Sequence, residues 1–294
     1  MSNREIIIGT RGSKLALIQT QIVVKNLLSY NPEIRIKTKV IKTSGDRGNL
    51  TALGAFVGEI EKALLNNKID IAVHSLKDMP ANVTEGLHFA AILKREDARE
   101  ALVLKKGIKF DPQKNYTIGT GSPRRQLLLK YYFPNINVIF IRGNVDSRVA
   151  MVDSGQVDGL ILAAAGLIRI GMRNRITEYL ALNEFIPPPG QGAMAVQTRF
   201  NDHDMIKMVT PLDDKNTRLC TTTEHIILNE ISAGCSVPLG AYAECNDKKI
   251  NMMAFYGYNK NSRINVVKRT FDIKESVKLS RQIAKNLKKN YNND

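Results

Sequence analysis

Ser122-Pro123-Arg124-Arg125 places two guanidinium groups in the first turn of an expected helix. Ser122 suits the N-cap and Pro123 the first helical position, yet the helix dipole is already positive there and disfavours cations. The pair makes sense if an anion sits at the helix end, shared between backbone N–H groups and guanidinium forks. It makes equal sense if the arginines reach solvent or a neighbouring carboxylate. Arg142-Gly143-Asn144 has a similar shape: a strand end, a turn and a cap, with Arg148 four residues later near the same helix face. Arg11 stands between the first strand and a helix that Ser13 can cap, and Arg169 follows the apolar run LILAAAGL. Each arginine alone is ordinary surface. Several at the carboxyl ends of strands describe a place for something with many carboxylates or phosphates.

Two further segments hold groups able to do chemistry. His74-Ser75-Leu76-Lys77-Asp78 lies just past an apolar strand. A carboxylate there could be held ionised by basic neighbours, whereas the plainer reading is a capping Asp, a salt-bridged Lys and a core His. Cys235 lies in AGCSVPLG, where Gly234 and Pro238 leave a thiol accessible. Lone cysteines are more often inert packing, and Cys220 and Cys245 keep that reading.

The 294-residue chain is long enough for two or three domains. It has no apolar run of bilayer length, and MSNREIIIGT enters a strand at once instead of forming a signal peptide, so a cytoplasmic enzyme is expected. The net charge of +15 suits nucleic acid, anionic lipid, a small polyanion or plain solvated surface. With 6% aromatic residues and no Trp, no stacking platform for bases is evident. An odd count of three cysteines without a C-x-x-C pair indicates free thiols and no metal site.

The elements that must position these residues alternate between strand and helix. Arg4–Gly9 reads as a strand, Lys14–Tyr30 as a helix, Ile34–Ile41 as a strand, Gly54–Asn66 as a helix and Ile69–His74 as a buried parallel strand. A like unit follows, with strands at Tyr116–Gly119, Asn137–Arg142 and Gly159–Ala163 and helices from Pro123 and Val145. NNKIDIAVHS and SGQVDGLILA hold equivalent places in the two units. After the Pro-rich segment Ile186–Gly190, Ala193–Thr198 is a strand that returns to the first lobe. A helix over Asn216–Ile231, three strands (Leu239–Cys245, Ile250–Tyr258, Ile264–Phe271) and a helix from Lys274 complete the chain. The expectation is an α/β protein of two similar lobes, 1–92 with 193–212 and 98–187, plus a C-terminal α+β domain, 214–294, with a three-stranded antiparallel sheet. Two such lobes side by side would form a cleft at the carboxyl ends of their strands.

IGTRGSKLALIQ, IDIAVHSLKDMP, KREDAREAL, IGTGSPRRQ, IRGNVDSR, ILAAAGLIRIG, PPPGQGAMAV and AGCSVPLGAYAE are together similar, in order and spacing, to the hydroxymethylbilane synthase (porphobilinogen deaminase) family. The resemblance implies a transferase of haem and tetrapyrrole biosynthesis. It would join four porphobilinogen molecules, each losing ammonia, on a dipyrromethane cofactor and release a linear tetrapyrrole with water. Cys235 matches the cysteine that holds the cofactor by a thioether. Asp78 matches the catalytic carboxylate that stabilises positive charge on pyrrole nitrogens and helps protonate the departing amine. Every pyrrole carries an acetate and a propionate, which gives the arginines a task. Ser75, Lys77, Thr120, Ser122, Arg124, Arg125, Arg142, Arg148 and Arg169 match cofactor contacts. Arg11, Ser13, Gln19, Phe56 and Gln191 match substrate contacts. The resemblance also implies a monomer that binds neither nucleic acid nor membrane, with possible hand-over of product to uroporphyrinogen III synthase.

The chain departs from the family pattern at two places. The glycine- and lysine-rich loop before Phe56 is compressed to RGNLTALGAF, with Leu53 among the replacements, although Asp46 and Phe56 remain; a mobile lid at 47–55 is in doubt. His225 stands where an arginine is common. The competing readings are a non-enzymatic anion-binding protein, because the two-lobed design resembles type II solute-binding proteins, and a nucleic-acid binder supported by net charge alone.

Overall fold

Hydrophobic, β-branched Ile6–Thr10 forms β1, and Ile36–Val40 (β2) lies parallel to it on one side. Between them runs the helix α1, Lys14–Tyr30, whose Ser13 N-cap accepts a hydrogen bond from Ala16 N at 3.3 Å. Gly58–Leu65 (α2) leads into Ile71–Ser75 (β3), parallel to β1 with Ile8 opposite Ile71. Leu87–Ile92 (β4) follows. The structure, a computed structural model, describes residues 5–47, 56–80, 82–231, 238–246, 248–258 and 263–289. Cys235, Leu53 and the compressed loop at 48–55 lie outside them.

The second sheet is built from Glu100–Leu104 (β5), Thr117–Gly119 (β6), Asn137–Ile139 (β7), Gly159–Ala163 (β8) and Glu178–Tyr179 (β9). Its helices are Pro123–Tyr132 (α3), Val145–Asp153 (α4) and Ala164–Arg169 (α5). The chain then supplies Met194–Arg199 (β10) to the first sheet, followed by His203–Val209 (α6). The orders β2-β1-β3-β10-β4 and β7-β6-β8-β5-β9 are the same pattern twice, a parallel trio closed by antiparallel strands. The two matching phrases do one job in both lobes. Asp70 accepts from Ile7 N at 2.9 Å and Asp158 from Thr117 N at 2.7 Å, each pinning the start of the neighbouring strand.

Strands β4 and β5 lie in a stretch where the sequence pattern shows no clear alternation, and both enter sheets. The expected strand over Asn137–Arg142 ends at Ile139; beyond it the pairing carries on only through Thr120 N donating to Ile139 O at 3.0 Å and Ile141 N to Thr120 O at 3.4 Å, short of Arg142.

Lys215–Ile231 (α7), Leu239–Asn246 (β11), Lys249–Tyr258 (β12), Arg263–Asp272 (β13) and Ser276–Lys289 (α8) form the expected α+β layer with a three-stranded antiparallel sheet. Leu279, Ile283 and Leu287 recur at four-residue spacing on α8 and enter its core with Ile227, Ala241, Ile250 and Met252. Contacts divide the chain into two compact units, Met1–Arg95 with Ala193–Arg218, and Glu96–Gly192 with Leu219–Asp294. Within the second unit the C-terminal layer packs on α3: a Cβ on Gly257 would lie 2.0 Å from Leu127 Cδ2 and would have to push that side chain aside. No helix among the described residues is long and apolar enough to cross a membrane.

Candidate active and cofactor site residues

In the first unit β1 and β3 are parallel neighbours, so Arg11 and the Ser75–Asp78 turn leave the sheet at the same edge. Residues 76–78 form one turn of 3-10 helix, with buried Leu76 and Met79 on either side of Lys77 and Asp78 as apolar fixings. Asp78 itself is exposed and Lys77 half-buried. Leu76 N donates to Ala193 O at 3.0 Å, which tethers the turn to the strand that follows. Gln19, on α1 and buried, meets Ser75 Oγ through its amide nitrogen at 2.9 Å. Two expected contact residues are thereby bonded to each other.

Arg11 and Phe56 are also brought together. The guanidinium carbon of Arg11 lies 4.1 Å from the centre of the Phe56 ring, and its Nη2 donates to Asp46 at 2.6 Å. Gly45 makes room for that ring, since a Cβ there would fall 2.3 Å from it. Burial raises the Asp46 pKa, but hydrogen bonds from Arg11 and from the Thr43 hydroxyl and amide outweigh it and hold the carboxyl below its usual range. Ser13 is engaged as the α1 cap.

His74 is a core group, as its position in an apolar strand suggested. Its Nε2 lies 3.1 Å from Gln197 Oε1, while Gln197 Nε2 donates to Glu61 Oε1 at 2.8 Å and Thr84 donates to the other oxygen of Glu61 at 2.6 Å. Because Glu61 only accepts, the Gln197 oxygen is turned towards His74, which must donate from Nε2. Burial lowers the His74 pKa to about 4, against a smaller opposing effect of the Gln197 bond.

In the second unit β6, β7 and β8 are parallel, and Thr120, Ser122, Arg142 and α5 all follow their carboxyl ends. Ser122 caps α3 and Pro123 occupies its first turn. The two arginines behind them do not point to solvent. Arg124 and Arg125 are buried, and both hold Glu100, which is fully buried at the start of β5 beside Ala163. Arg124 pairs with Glu100 Oε1 and donates to Ile186 O at 2.9 Å; Arg125 donates from Nε to Oε2 at 3.0 Å, with Nη2 in ion-pair contact with the same oxygen at 2.7 Å. Of the two readings open for this pair, the neighbouring carboxylate is the one found. Burial pulls the Arg124 pKa down, Glu100 opposes the shift and Arg125 adds to it. Two guanidinium charges against one carboxylate leave one positive charge in excess at a helix N-terminus.

Arg142 is exposed, 4.8 Å over the Phe140 ring, and Arg148 is half-buried on α4. Arg169 ends α5 and donates to Gly192 O at 2.6 Å; burial lowers its pKa to about 10 against the attraction of Glu96, so it stays cationic at neutral pH. Thr120 is buried and its hydroxyl accepts from Ser122 N at 3.3 Å. Gln191, also buried, donates to Ala98 O at 2.8 Å and so secures the chain turn at 188–192. His225 lies on α7 with Nδ1 2.8 Å from Thr221 O.

Glu224 escaped the sequence reading, as did Glu100. Glu224 is fully buried on α7, where Oε1 accepts from Ala243 N and Oε2 from Gly190 N, each at 2.8 Å. It joins α7, β11 and the 188–192 turn. A Glu at the head of the apolar strand EALVL was the available signal; Glu224, between Thr221–Thr223 and His225, had none.

Comparison with known proteins matches two family models. The one described as porphobilinogen deaminase, dipyromethane cofactor binding domain, covers residues 6–207, and the porphobilinogen deaminase C-terminal domain covers residues 218–289. A porphobilinogen deaminase of Clostridioides difficile is 40% identical over 98% of both chains. One from Deinococcus radiodurans is 39% identical over 96% of this chain and 94% of its own. Distant solved structures include a Salmonella typhimurium periplasmic binding protein of high arginine specificity, 12% identical over 73% of this chain and 94% of that one, TM-score 0.41. Another is a putative periplasmic sulfonate-binding protein from Methylobacillus flagellatus, 14% identical over 79% and 69%, TM-score 0.40.

Proposed function

The chain belongs to the porphobilinogen deaminase family, and from that premise we propose how its own residues divide the work of hydroxymethylbilane synthesis. Arg124, Arg125, Arg142, Arg148 and Arg169 hold the carboxylates of a dipyrromethane, with Thr120 and Ser122 at the α3 terminus completing the contacts. The observation that carries this is the excess positive charge around Glu100: a buried arginine pair with one carboxylate between them is suited to a second, incoming carboxylate. When bound, the dipyrromethane supplies a nucleophilic pyrrole carbon as the primer for each added ring. Cys235 is its thioether tether.

In the first unit, Asp78 offers an exposed carboxylate on a turn fixed by β3 and by Leu76. There it stabilises positive charge developing on a pyrrole nitrogen and assists proton transfer to the leaving amine. Lys77 and the bonded pair Ser75–Gln19 orient the approach. Arg11, stacked on Phe56, receives a carboxylate of the incoming porphobilinogen, with Ser13 capping the helix that follows it; in the second unit Gln191 is a further substrate contact. The finer reading is of a monomeric cytoplasmic transferase whose product passes to uroporphyrinogen III synthase.

Intact-mass measurement tests the assignment. The purified chain should exceed its sequence mass by two linked pyrroles, and Cys235→Ala should lose that excess. An active protein of unmodified mass would overturn it.

A further inference from the structure

Cys220 and Cys245 are 25 residues apart in sequence, yet their sulfurs lie 2.8 Å apart. Cys220 sits on α7, 6% exposed, and belongs to the C-terminal core. Cys245 is half-buried near the end of β11, an edge strand of its sheet. Both are thiols. Each is carried by a regular element, so the contact does not depend on a loop finding its partner. Cys245 is the less buried of the two, packed at the margin of the core that holds Cys220.

We propose that Cys220 and Cys245 are a dithiol modification site whose co-reactant is a hydroperoxide. The Cys245 thiolate attacks the terminal peroxide oxygen. The O–O bond breaks, the peroxide leaves as an alcohol (or water), and Cys245 becomes a sulfenic acid. The Cys220 sulfur then attacks the Cys245 sulfur. The S–O bond breaks, an S–S bond forms, and the hydroxyl departs with the Cys220 proton as water. Two thiols and one hydroperoxide thus give one disulfide, one alcohol and one water. A small dithiol reverses the change by exchange. The cross-link closes a ring of chain that contains Cys235. The proposal is independent of whether Cys235 carries a cofactor.

The test is peptide mapping of the full-length protein after limited hydrogen peroxide, with alkylation of remaining thiols under denaturing conditions. Trypsin is unsuitable, because no lysine or arginine separates the three cysteines between Arg218 and Lys248; a Glu-specific protease cuts after Glu224, Glu230 and Glu244 and separates them. The expected product is a cross-linked peptide pair joining Cys220 to Cys245, lighter by two hydrogens. Both alkylation sites should be lost together and recovered with dithiothreitol. In Cys220→Ser, Cys245 should stop at the sulfenic acid and be trapped by dimedone. A cross-link to Cys235, separate oxidation of the two sulfurs to sulfinic acids, or full alkylation of both after peroxide would each overturn the proposal. The wild-type map decides the matter even if the serine variant fails to fold.

Discussion

Arg125 donates through Nε to one oxygen of Glu100 at 3.0 Å and brings Nη2 within 2.7 Å of the same oxygen, while Arg124 takes the other oxygen. Removing that carboxylate leaves two buried guanidinium charges beside one another. Glu100→Gln is therefore expected to destabilise the protein by about 3–5 kcal/mol, read as a lower urea midpoint. Excess acetate or another small carboxylate should restore part of the loss if this place accepts a ligand carboxylate. A midpoint equal to wild type would show the pair to be compensated elsewhere.

Asp78 contributes little to packing because its side chain is exposed. Asp78→Asn should change stability by less than about 0.5 kcal/mol yet reduce turnover by roughly 10²-fold or more. Paired thermal melts and steady-state rates separate these effects; near-normal turnover removes Asp78 from the chemistry.

Gly45→Ala tests the Arg11–Phe56 pair without altering either residue. The added methyl would meet the ring at 2.3 Å and displace it. The expected result is a raised KM with a smaller effect on kcat, the pattern of lost substrate binding. Unchanged kinetics would mean that the stacked arrangement is not what binds substrate.

His74 gives stability a pH dependence. Its folded pKa, about 4, lies below the ordinary 6.5, so the unfolded chain binds the extra proton more readily. The stabilisation is fully present above pH 6.5 and is lost as pH falls towards 4, on the order of 3 kcal/mol in all. Urea midpoints measured between pH 7 and pH 4 should fall more steeply for wild type than for His74→Gln. Parallel curves would refute the assignment.

Glu224→Ala should orphan the Gly190 and Ala243 amides, at roughly 1–3 kcal/mol for each buried donor. A lower melting temperature should be accompanied by faster hydrogen exchange at those two amides, where a general loss of packing would spread the change across α7.

The sequence reading succeeded where information is local. Ser13 and Ser122 are caps because the hydroxyl serves an amide three residues on, and α8 is legible from Leu279, Ile283 and Leu287. It missed Glu100, whose arginine partners stand 24 and 25 residues away, and the Glu61–Gln197–His74 chain, which spans 136 residues at one link. No periodicity encodes such pairings. The burial of Arg124 and Arg125 was hidden for the same reason: a helix start looks alike whether its anion is a ligand or a side chain from another strand.

Strand β10 sits between β3 and β4, although it is made more than a hundred residues after them. During synthesis the first lobe therefore waits, with β3 and β4 unpartnered on those edges, until the whole second sheet has left the ribosome. That interval exposes β3, whose first four residues are buried in the finished fold. A nascent chain stopped before residue 193 is expected to need a holding chaperone, and one released just past β10 is expected to close the lobe unaided.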